Sequence, residues 1–377
     1  MSLSLESTFI QHFACLSDPR VERTKHHLLI DIIAIAILAV ISGADGWVAI
    51  ETYGQAKKEW LATFLSLPNG IPSHDTFARV FARIEPSEFE KCFNNWINTI
   101  TEELGAQVIP IDGKTLRGSY DREAKQKPLT VVSAWASNYR LVLGQFRVND
   151  KSNEITAIPQ LLKMLNISGS IITIDAIGCQ KSIATLICHQ GADYVLALKG
   201  NQGKLYNQVE QFFKQARAAG FSGIEHSYYH STESSHGRIE IRHYYSVPLS
   251  VLTGLSQQDM WTGLASVGMV ICERRLGKKT TIEVRYYLSS LKADAQVLAH
   301  AVRTHWGVEN SVHWIIDVTF KEDASRIRTA HSAQNFALLR RIALNQLERE
   351  TTVKSSIRQK RYRAALDNQY AVKVLLA

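Results

Sequence analysis

Three carboxylates stand where they could share one chemistry. Asp112 follows the apolar run 107–111 and precedes Gly113, while Asp175 follows the apolar run 170–174 and leads into Ala176-Ile177-Gly178. Both runs read as central strands, so both aspartates are expected at strand carboxyl ends, where open sheets with parallel strands gather their ligands. Either one alone has a plainer explanation, because Asp favours turns and helix caps. Two of them on adjacent strands make capping the less economical account. The third candidate is Glu309, within the segment 303–314 (RTHWGVENSVHW). With His305 and His313 it is spaced i, i+4, i+8, which puts the three within ~80° of one helix face. A surface helix with incidental histidines is the alternative. Asp317, Glu322 and Asp323 are rival acids, although Asp317 lies ~80° round a regular helix from Glu309 and would face elsewhere. The chemistry that two Asp and one Glu would serve is in-line cleavage of a phosphodiester. Two Mg²⁺ ions ~3.5–4 Å apart stabilise the attacking and leaving oxygens there. Mg²⁺ is a hard ion that takes one or two carboxylates, keeps its waters and avoids sulfur; one aspartate would bridge the pair.

Three kinds of element must hold these residues. Up to about residue 103 the chain reads as helical: an apolar helix over 28–42, an amphipathic one over 48–64, then 77–84 and 89–100. Ser73 or Asp75 offers a cap at a helix start. The Pro68-Asn69-Gly70 turn could belong to a helix-turn-helix, with ordinary helix packing as the plainer reading. The next zone is rich in β-branched residues, with strands at 107–111, 129–136 and 140–148. A helix at 154–165, a strand at 170–174, a helix at 181–189 and a strand at 193–198 complete the order β-β-β-α-β-α-β, that of an RNase H-like core. From 203 to 292 a short helix leads to strands at 238–247, 268–275 and 284–289, read as a β-rich insertion. Helices return at 295–318 and 333–348.

Composition removes several classes. The chain has 377 residues and 45% hydrophobic content, enough for two or three domains with proper cores and no match to disordered or fibrous proteins. Its five cysteines are scattered and form no C-x-x-C pair, so neither a zinc knuckle nor a disulfide framework is indicated. The first ten residues carry Glu6 and lack the pattern of a signal peptide. Asp31 interrupts the longest apolar run, whose core of ten residues falls short of the ~20 that span a bilayer. A protein of a reducing cytoplasm, not associated with a membrane, is expected. Net charge is +8, and residues 321–377 hold 12 Lys+Arg against 5 Asp+Glu. That basic end is either a footprint for a polyanion or a solvated helical face.

The ordered motifs carry a resemblance. Residues 111–117 (IDGKTLR), 150–162 (DKSNEITAIPQLL), 174–180 (IDAIGCQ), 197–202 (ALKGNQ), His236-Gly237-Arg238 and 305–310 (HWGVEN) resemble, in the same order, the ISAs1-type transposases. That group includes the H-repeat-associated proteins and lies within the IS4-like DDE superfamily. The resemblance spans nearly the whole chain. It implies an RNase H-like catalytic core over 104–350 with a β-rich insertion at 203–292, preceded by an all-helical N-terminal domain over 1–103; by its charge, 351–377 is read as a basic tail. It also implies a triad of Asp112, Asp175 and Glu309 that is catalytic and binds two Mg²⁺, with Mn²⁺ as a substitute. IS4-like enzymes often surround the Glu with Tyr, Arg and Lys; here His305 and Ile316 stand in that neighbourhood, with Arg303 and Lys321 nearby at other spacings.

Several polar residues are candidate DNA contacts. Lys114 and Arg117 follow Asp112 and could clamp phosphates; Lys199 and Asn201 end a central strand where a simple turn would serve as well. Arg238, beside His236 and Arg242, could face DNA from the insertion, or could belong to a satisfied strand face. Arg303, Lys321, Arg326 and Arg328, with Arg340, Arg341 and the run 358–363, would add sequence-independent affinity. The expected activity is transposition of an insertion sequence: cleavage and strand transfer at terminal inverted repeats of double-stranded DNA, into target DNA, by at least a homodimer in the synaptic complex. The competing reading is a DNA-binding protein that has lost catalysis. A carboxylate-pair hydrolase of sugars is a third, and it has no use for the basic C-terminal region.

Overall fold

The computed structural model describes residues 8–101, 105–120, 127–148, 153–235, 237–252 and 254–377. His236 and the opening of the 150–162 motif, Asp150 to Ser152, lie outside the described residues, as does the boundary expected at 103. In chain order, helices α1 (Leu29–Ile41), α2 (Trp47–Ala56), α3 (Lys58–Leu61), α4 (His74–Arg83) and α5 (Pro86–Thr101) come first. Strands β1 (Val108–Leu116), β2 (Leu129–Ala136) and β3 (Leu141–Val148) follow, then α6 (Glu154–Lys163), β4 (Ile171–Ile174), α7 (Lys181–His189), β5 (Asp193–Leu198) and α8 (Gly203–Ala218). Next are β6 (Ser227–Ser235), β7 (Arg238–Pro248), β8 (Ser266–Leu276) and β9 (Lys279–Ser289). Helices α9 (Ala295–Val308), α10 (Trp314–Val318), α11 (Ser332–Arg349), α12 (Ile357–Leu366) and α13 (Asn368–Leu376) complete the chain. The chain is mixed α/β and forms two compact units, one of residues 1–104, 113–151 and 309–377, the other of 105–112 and 152–308.

The first unit is built on α1. Its sequence, LIDIIAIAILAVI, is apolar all round, and every residue from Asp31 to Ile41 is buried. A helix of that kind belongs in a core, and among the described residues no helix is long and apolar enough to cross a membrane. Asp31, the one charge in the run, accepts a hydrogen bond from the Leu67 backbone at 2.9 Å. Helix α11 packs along α1 and, with α5, also covers β3. The strand order in this unit is β3-β2-β1, with β2 and β3 antiparallel. Buried Asn345 on α11 closes the free edge of β3: its amide exchanges two 2.8 Å bonds with the backbone of Val142, as a neighbouring strand would. Residues 357–376, within the stretch expected as a basic tail, form α12 and α13, with Tyr370, Ala371 and Val374 buried.

The second unit has the order β1-β4-β5-β9-β8-β7-β6. The first three strands are parallel, and the rest are antiparallel. The strands read as an insertion extend the same sheet, since β9 pairs with β5 from Val195↔Ser289 to Leu198↔Tyr286. Strand β6 is not among the elements expected from the sequence: SYYHSTESS is mostly polar and exposed, as suits a sheet edge. Helix α9 lies across the sheet and buries Leu298 and Val302 against Val195, Tyr244, Val270 and Tyr287. Gly268 permits that approach, because a Cβ there would sit 2.5 Å from Leu298 Cδ2.

Candidate active site

The register of β1 against β4 brings two of the three acids together. The strands pair in parallel from Val108↔Ile171 to Ile111↔Ile174, so Asp112 and Asp175 are the next positions on neighbouring strands. Neighbouring strands lie ~4.8 Å apart, so each aspartate directly follows one member of the last matched pair of two adjacent parallel strands. The strand-end expectation needs one correction. Asp175 follows the end of β4, but Asp112 is inside β1, which runs on to Leu116. Beyond Asp112 the strand has β2 as its neighbour, and the Thr115 and Thr130 hydroxyls meet at 2.9 Å.

Asp175 also caps its own turn. Its Oδ1 accepts from the backbone N–H of Ile177 at 3.0 Å and of Gly178 at 3.4 Å. Gly178 is required, because a Cβ would sit 2.3 Å from Ile174 Cγ2. The following turn is fastened from 200–202: Asn201 Nδ2 donates to the Ala176 carbonyl at 2.5 Å, and Gln202 Nε2 to the Cys179 carbonyl at 3.0 Å. Asn201 thus holds the loop that carries Asp175. Lys199, the residue two before, is exposed and lines a cavity of about 240 Å³ with Asp175, Arg285, His305 and Trp306. The Arg285 guanidinium lies 3.9 Å over the Trp306 ring. His305 Nδ1 is 3.0 Å from the Thr173 hydroxyl. Burial pushes the His305 pKa down, against the opposing pull of the Asp175 charge.

Nothing in the sequence singles out Glu154 beyond its place in the 150–162 motif. It opens α6, whose start is capped by Asn153 accepting from Ile155 at 3.1 Å. Burial first, and then the Asp175 charge, raise its pKa, so the two carboxylates feel one another. Periodicity cannot show such a pairing, which depends on the tertiary packing of α6.

Glu309 begins a π-helical turn, Glu309–His313, between α9 and α10, and is exposed. This corrects the regular helix expected over 295–318. The i, i+4, i+8 register of His305, Glu309 and His313 assumes 100° per residue throughout, and so does the exclusion of Asp317. Single π turns inside α-helices occur frequently at functional sites.

Lys114 is buried, on an inward-facing position of β1, and its ammonium is held by carboxylates. Its Nζ is 2.5 Å from Asp317, 3.4 Å from Glu322 and 3.4 Å from Asp323. Glu322, also buried, is 3.0 Å from Arg341 and 3.7 Å from Arg340, and these cations keep its pKa low against the cost of burial. Arg340 and Arg341 are 2% and 1% exposed, which removes them from the surface cations expected to meet DNA. The same holds for Lys360, bonded to the Leu347 carbonyl at 2.7 Å, and Arg361, bonded to the Val40 carbonyl at 3.0 Å.

The remaining candidates are more accessible. Arg117 is exposed, with Nε 3.6 Å from Asp323, and Arg326 is exposed too. Arg328 donates to the Gly118 carbonyl at 3.0 Å and lies 4.8 Å over the Tyr120 ring. Lys321 pairs with Asp45 at 2.8 Å, Arg238 with Glu240 at 3.2 Å and Arg303 with Glu233 at 2.8 Å. Arg242 is buried between Glu233 and Glu240.

A divalent cation is the group this donor set suits. Among the described residues no group of three or more His, Cys, Asp or Glu gathers as a metal site. Asp112 and Asp175 are nevertheless hard oxygen donors with no sulfur between them. Mg²⁺ commonly takes one or two carboxylates and completes its shell with water and substrate phosphate, not with an all-protein cage.

The fold and these residues define an α/β protein with one aspartate just beyond the last β1–β4 pair on β1 and another just after β4. Comparison with known proteins is more specific. Residues 103–346 match the family described as "Transposase DDE domain", and residues 10–97 the one described as "DDE_Tnp_1-associated". The chain is 41% identical over 372 residues to the "H repeat-associated putative transposase YhhI" of Escherichia coli K12, covering 97% of each chain. It is 38% identical over 381 residues to the "Putative transposase YncI" of Escherichia coli O157:H7, covering 99% of this chain and 95% of that one. The structure is similar to that of a piggyBac transposase synaptic complex with hairpin DNA, with a TM-score of 0.44, 12% identity, and coverage of 98% and 77%. The chain belongs to the DDE transposase family, as the ordered motifs implied.

Proposed function

We propose that this chain cleaves DNA at the two ends of its own insertion sequence and joins the freed 3′ ends to target DNA, using Mg²⁺. The observation that supports the reading is the parallel register of β1 and β4, whose last pair, Ile111↔Ile174, immediately precedes Asp112 and Asp175. Asp112, Asp175 and Glu309 are the proposed catalytic acids and metal ligands, in an RNase H-like core with β6–β9 as its insertion. When bound, two Mg²⁺ ions, or Mn²⁺ in their place, would supply charge neutralisation at the scissile phosphate and acidify the attacking hydroxyl. The chain's own residues do the rest. Asp175 is held by its Asx turn, and Asn201 and Gln202 hold the loop that presents it. His305, tied to Thr173, stands beside the cavity that Asp175 and Lys199 line. Lys199, Arg117 and Arg326 offer cations to the DNA backbone, and Arg238, Arg303, Lys321 and Arg328 could do so on release of their present partners. Lys114 acts from within, by holding Asp317, Glu322 and Asp323 in place. Synapsis of two ends calls for a homodimer, in the cytoplasm near the nucleoid.

The test is strand cleavage on the protein's own gene with its flanking DNA, in Mg²⁺, in EDTA, and with Asp175→Asn. Metal-dependent nicks at the element's two ends, absent from the variant, are expected. Tight binding without cleavage, identical in both proteins, would instead identify a DNA-binding relic.

A further inference from the structure

The helical part of the first unit holds another cavity, of about 370 Å³, which the reading of the three acids does not use. Arg20, His26, His27, Thr76, Arg79 and Arg83 line it, and no carboxylate does. Its cationic wall is a property of α4. Thr76, Arg79 and Arg83 are spaced i, i+3, i+7 and share a face, while Phe77 and Phe81 turn into the core. Arg79 spends only its Nε on its own helix, at 3.1 Å from the Asp75 carbonyl. Arg79 and Arg83 both keep solvent-accessible side chains on this wall.

The opposite wall is built more tightly. Arg20 is 8% exposed; its Nε and Nη2 hold Asp18 at 2.9 and 2.7 Å, and Nη2 also donates to the His27 carbonyl at 2.7 Å. Its Nη1 and the His27 Nδ1 are buried with no partner among the described residues. Buried polar groups without partners are uncommon, and each asks for an explanation. Asp18 is held by Arg20 and Asp31 by the Leu67 backbone, the Asp75 side chain is exposed, and none of these carboxylates lines the cavity. Two guanidinium groups, those of Arg79 and Arg83, therefore face the cavity without a counter-charge on its wall.

We infer that this cavity seats a phosphate group. Arg79 and Arg83 would supply forked donors that match two phosphate oxygens at once, with the Thr76 hydroxyl and the two histidines as further polar partners. The recognising chemistry is the same whether the phosphate belongs to a DNA backbone or to free phosphate, and the inference does not depend on the role of the three acids.

The experiment uses the full chain, with Arg79→Ala/Arg83→Ala as the test variant. Lys163→Ala/Lys204→Ala serves as a charge-matched control, since both lysines are exposed and lie in the other unit. Melting is followed in inorganic phosphate and in chloride at equal ionic strength. Phosphate is expected to raise the melting temperature of the wild type and of the control, and to leave that of the test variant unmoved. Duplex DNA titrated against salt then identifies the source. If a backbone phosphate is the occupant, the slope of log K against log salt falls by about 0.9 in the test variant relative to the control. If free phosphate is the occupant, the slopes of variant and control agree. Phosphate that fails to stabilise the wild type beyond chloride, or that stabilises the test variant equally, would overturn the inference.

Discussion

Asp175 serves two purposes through one side chain, and the choice of substitution separates them. Its Oδ1 accepts from Ile177 and Gly178, a duty that an asparagine carbonyl can keep. Asp175→Asn should therefore retain the wild-type melting temperature while losing cleavage. Asp175→Ala should lose cleavage and, in addition, about 1 kcal/mol of stability as the turn amides lose their acceptor. Calorimetry of the two variants beside the nicking assay checks both, and equal destabilisation would show that the turn does not depend on Oδ1. Glu90 poses a different question at the same scale. It is buried, receives Gln334 Nε2 at 3.0 Å and Gln145 Nε2 at 3.4 Å, and burial pushes its pKa up from 4.5 to about 7. Between those values the folded chain keeps a proton that the unfolded chain has lost. Its stability therefore falls as pH rises through that window, and the loss is complete above it. Glu90→Gln should accordingly stabilise the protein at pH 8, by up to about 3 kcal/mol, and leave it unchanged near pH 4. Urea titrations at the two pH values would show it; an equal effect at both would mean that folding does not shift the Glu90 pKa.

The π turn at Glu309 is the element on which the third acid depends. Removing Asn310 should convert the turn to regular α-helix and rotate Glu309 by ~100° relative to α10. We expect cleavage to be lost while the helices persist, and Asn310→Ala, which keeps the residue count, to retain cleavage. Nicking and circular dichroism on both variants decide it, and a deletion variant that still cleaves would remove Glu309 from the mechanism. This turn also marks where the sequence stops being legible. Hydrophobic periodicity locates α1, the order β1-β2-β3-α6-β4-α7-β5 and the return to helix after β9, because those elements bury regular apolar faces. It misses the π turn because one extra residue per turn leaves composition unchanged. It misses β6 because a polar edge strand has no buried face to announce it, and it ends β1 at Asp112 because the support for Gly113–Leu116 comes from β2 and not from local pattern. Within the site, Asp112 and Asp175 are legible as residues after buried strands. Glu154 is not, since its link to Asp175 exists only once α6 has packed. Lys114 is legible as a charge beside Asp112, but its burial among three carboxylates is not.

For the molecule as a whole, the basic surplus must be divided by burial before it says anything about DNA. The chain carries +8, most of it arising after residue 320, yet Arg340, Arg341, Lys360 and Arg361 are buried and hold helices together. Arg361 alone ties two elements, bonding the Val40 carbonyl and stacking 4.1 Å over the Phe320 ring. Arg326, Arg358 and Arg363 are exposed in the same region. The two sets should respond in opposite ways. Neutralising the exposed three with alanine should leave stability near that of the wild type and weaken binding to any duplex. It should lower the slope of log K against log salt by about 0.9 for each phosphate that the protein no longer neutralises. Arg341→Met should leave buried Glu322 short of a partner and cost about 3–5 kcal/mol, the penalty of stranding a buried charge, with no change of slope in whatever fraction stays folded. Fluorescence anisotropy across a salt series, paired with thermal melts, separates the two classes. A salt slope unmoved by the exposed triple substitution would mean that the C-terminal surplus is an architectural charge and that DNA is held elsewhere on the protein.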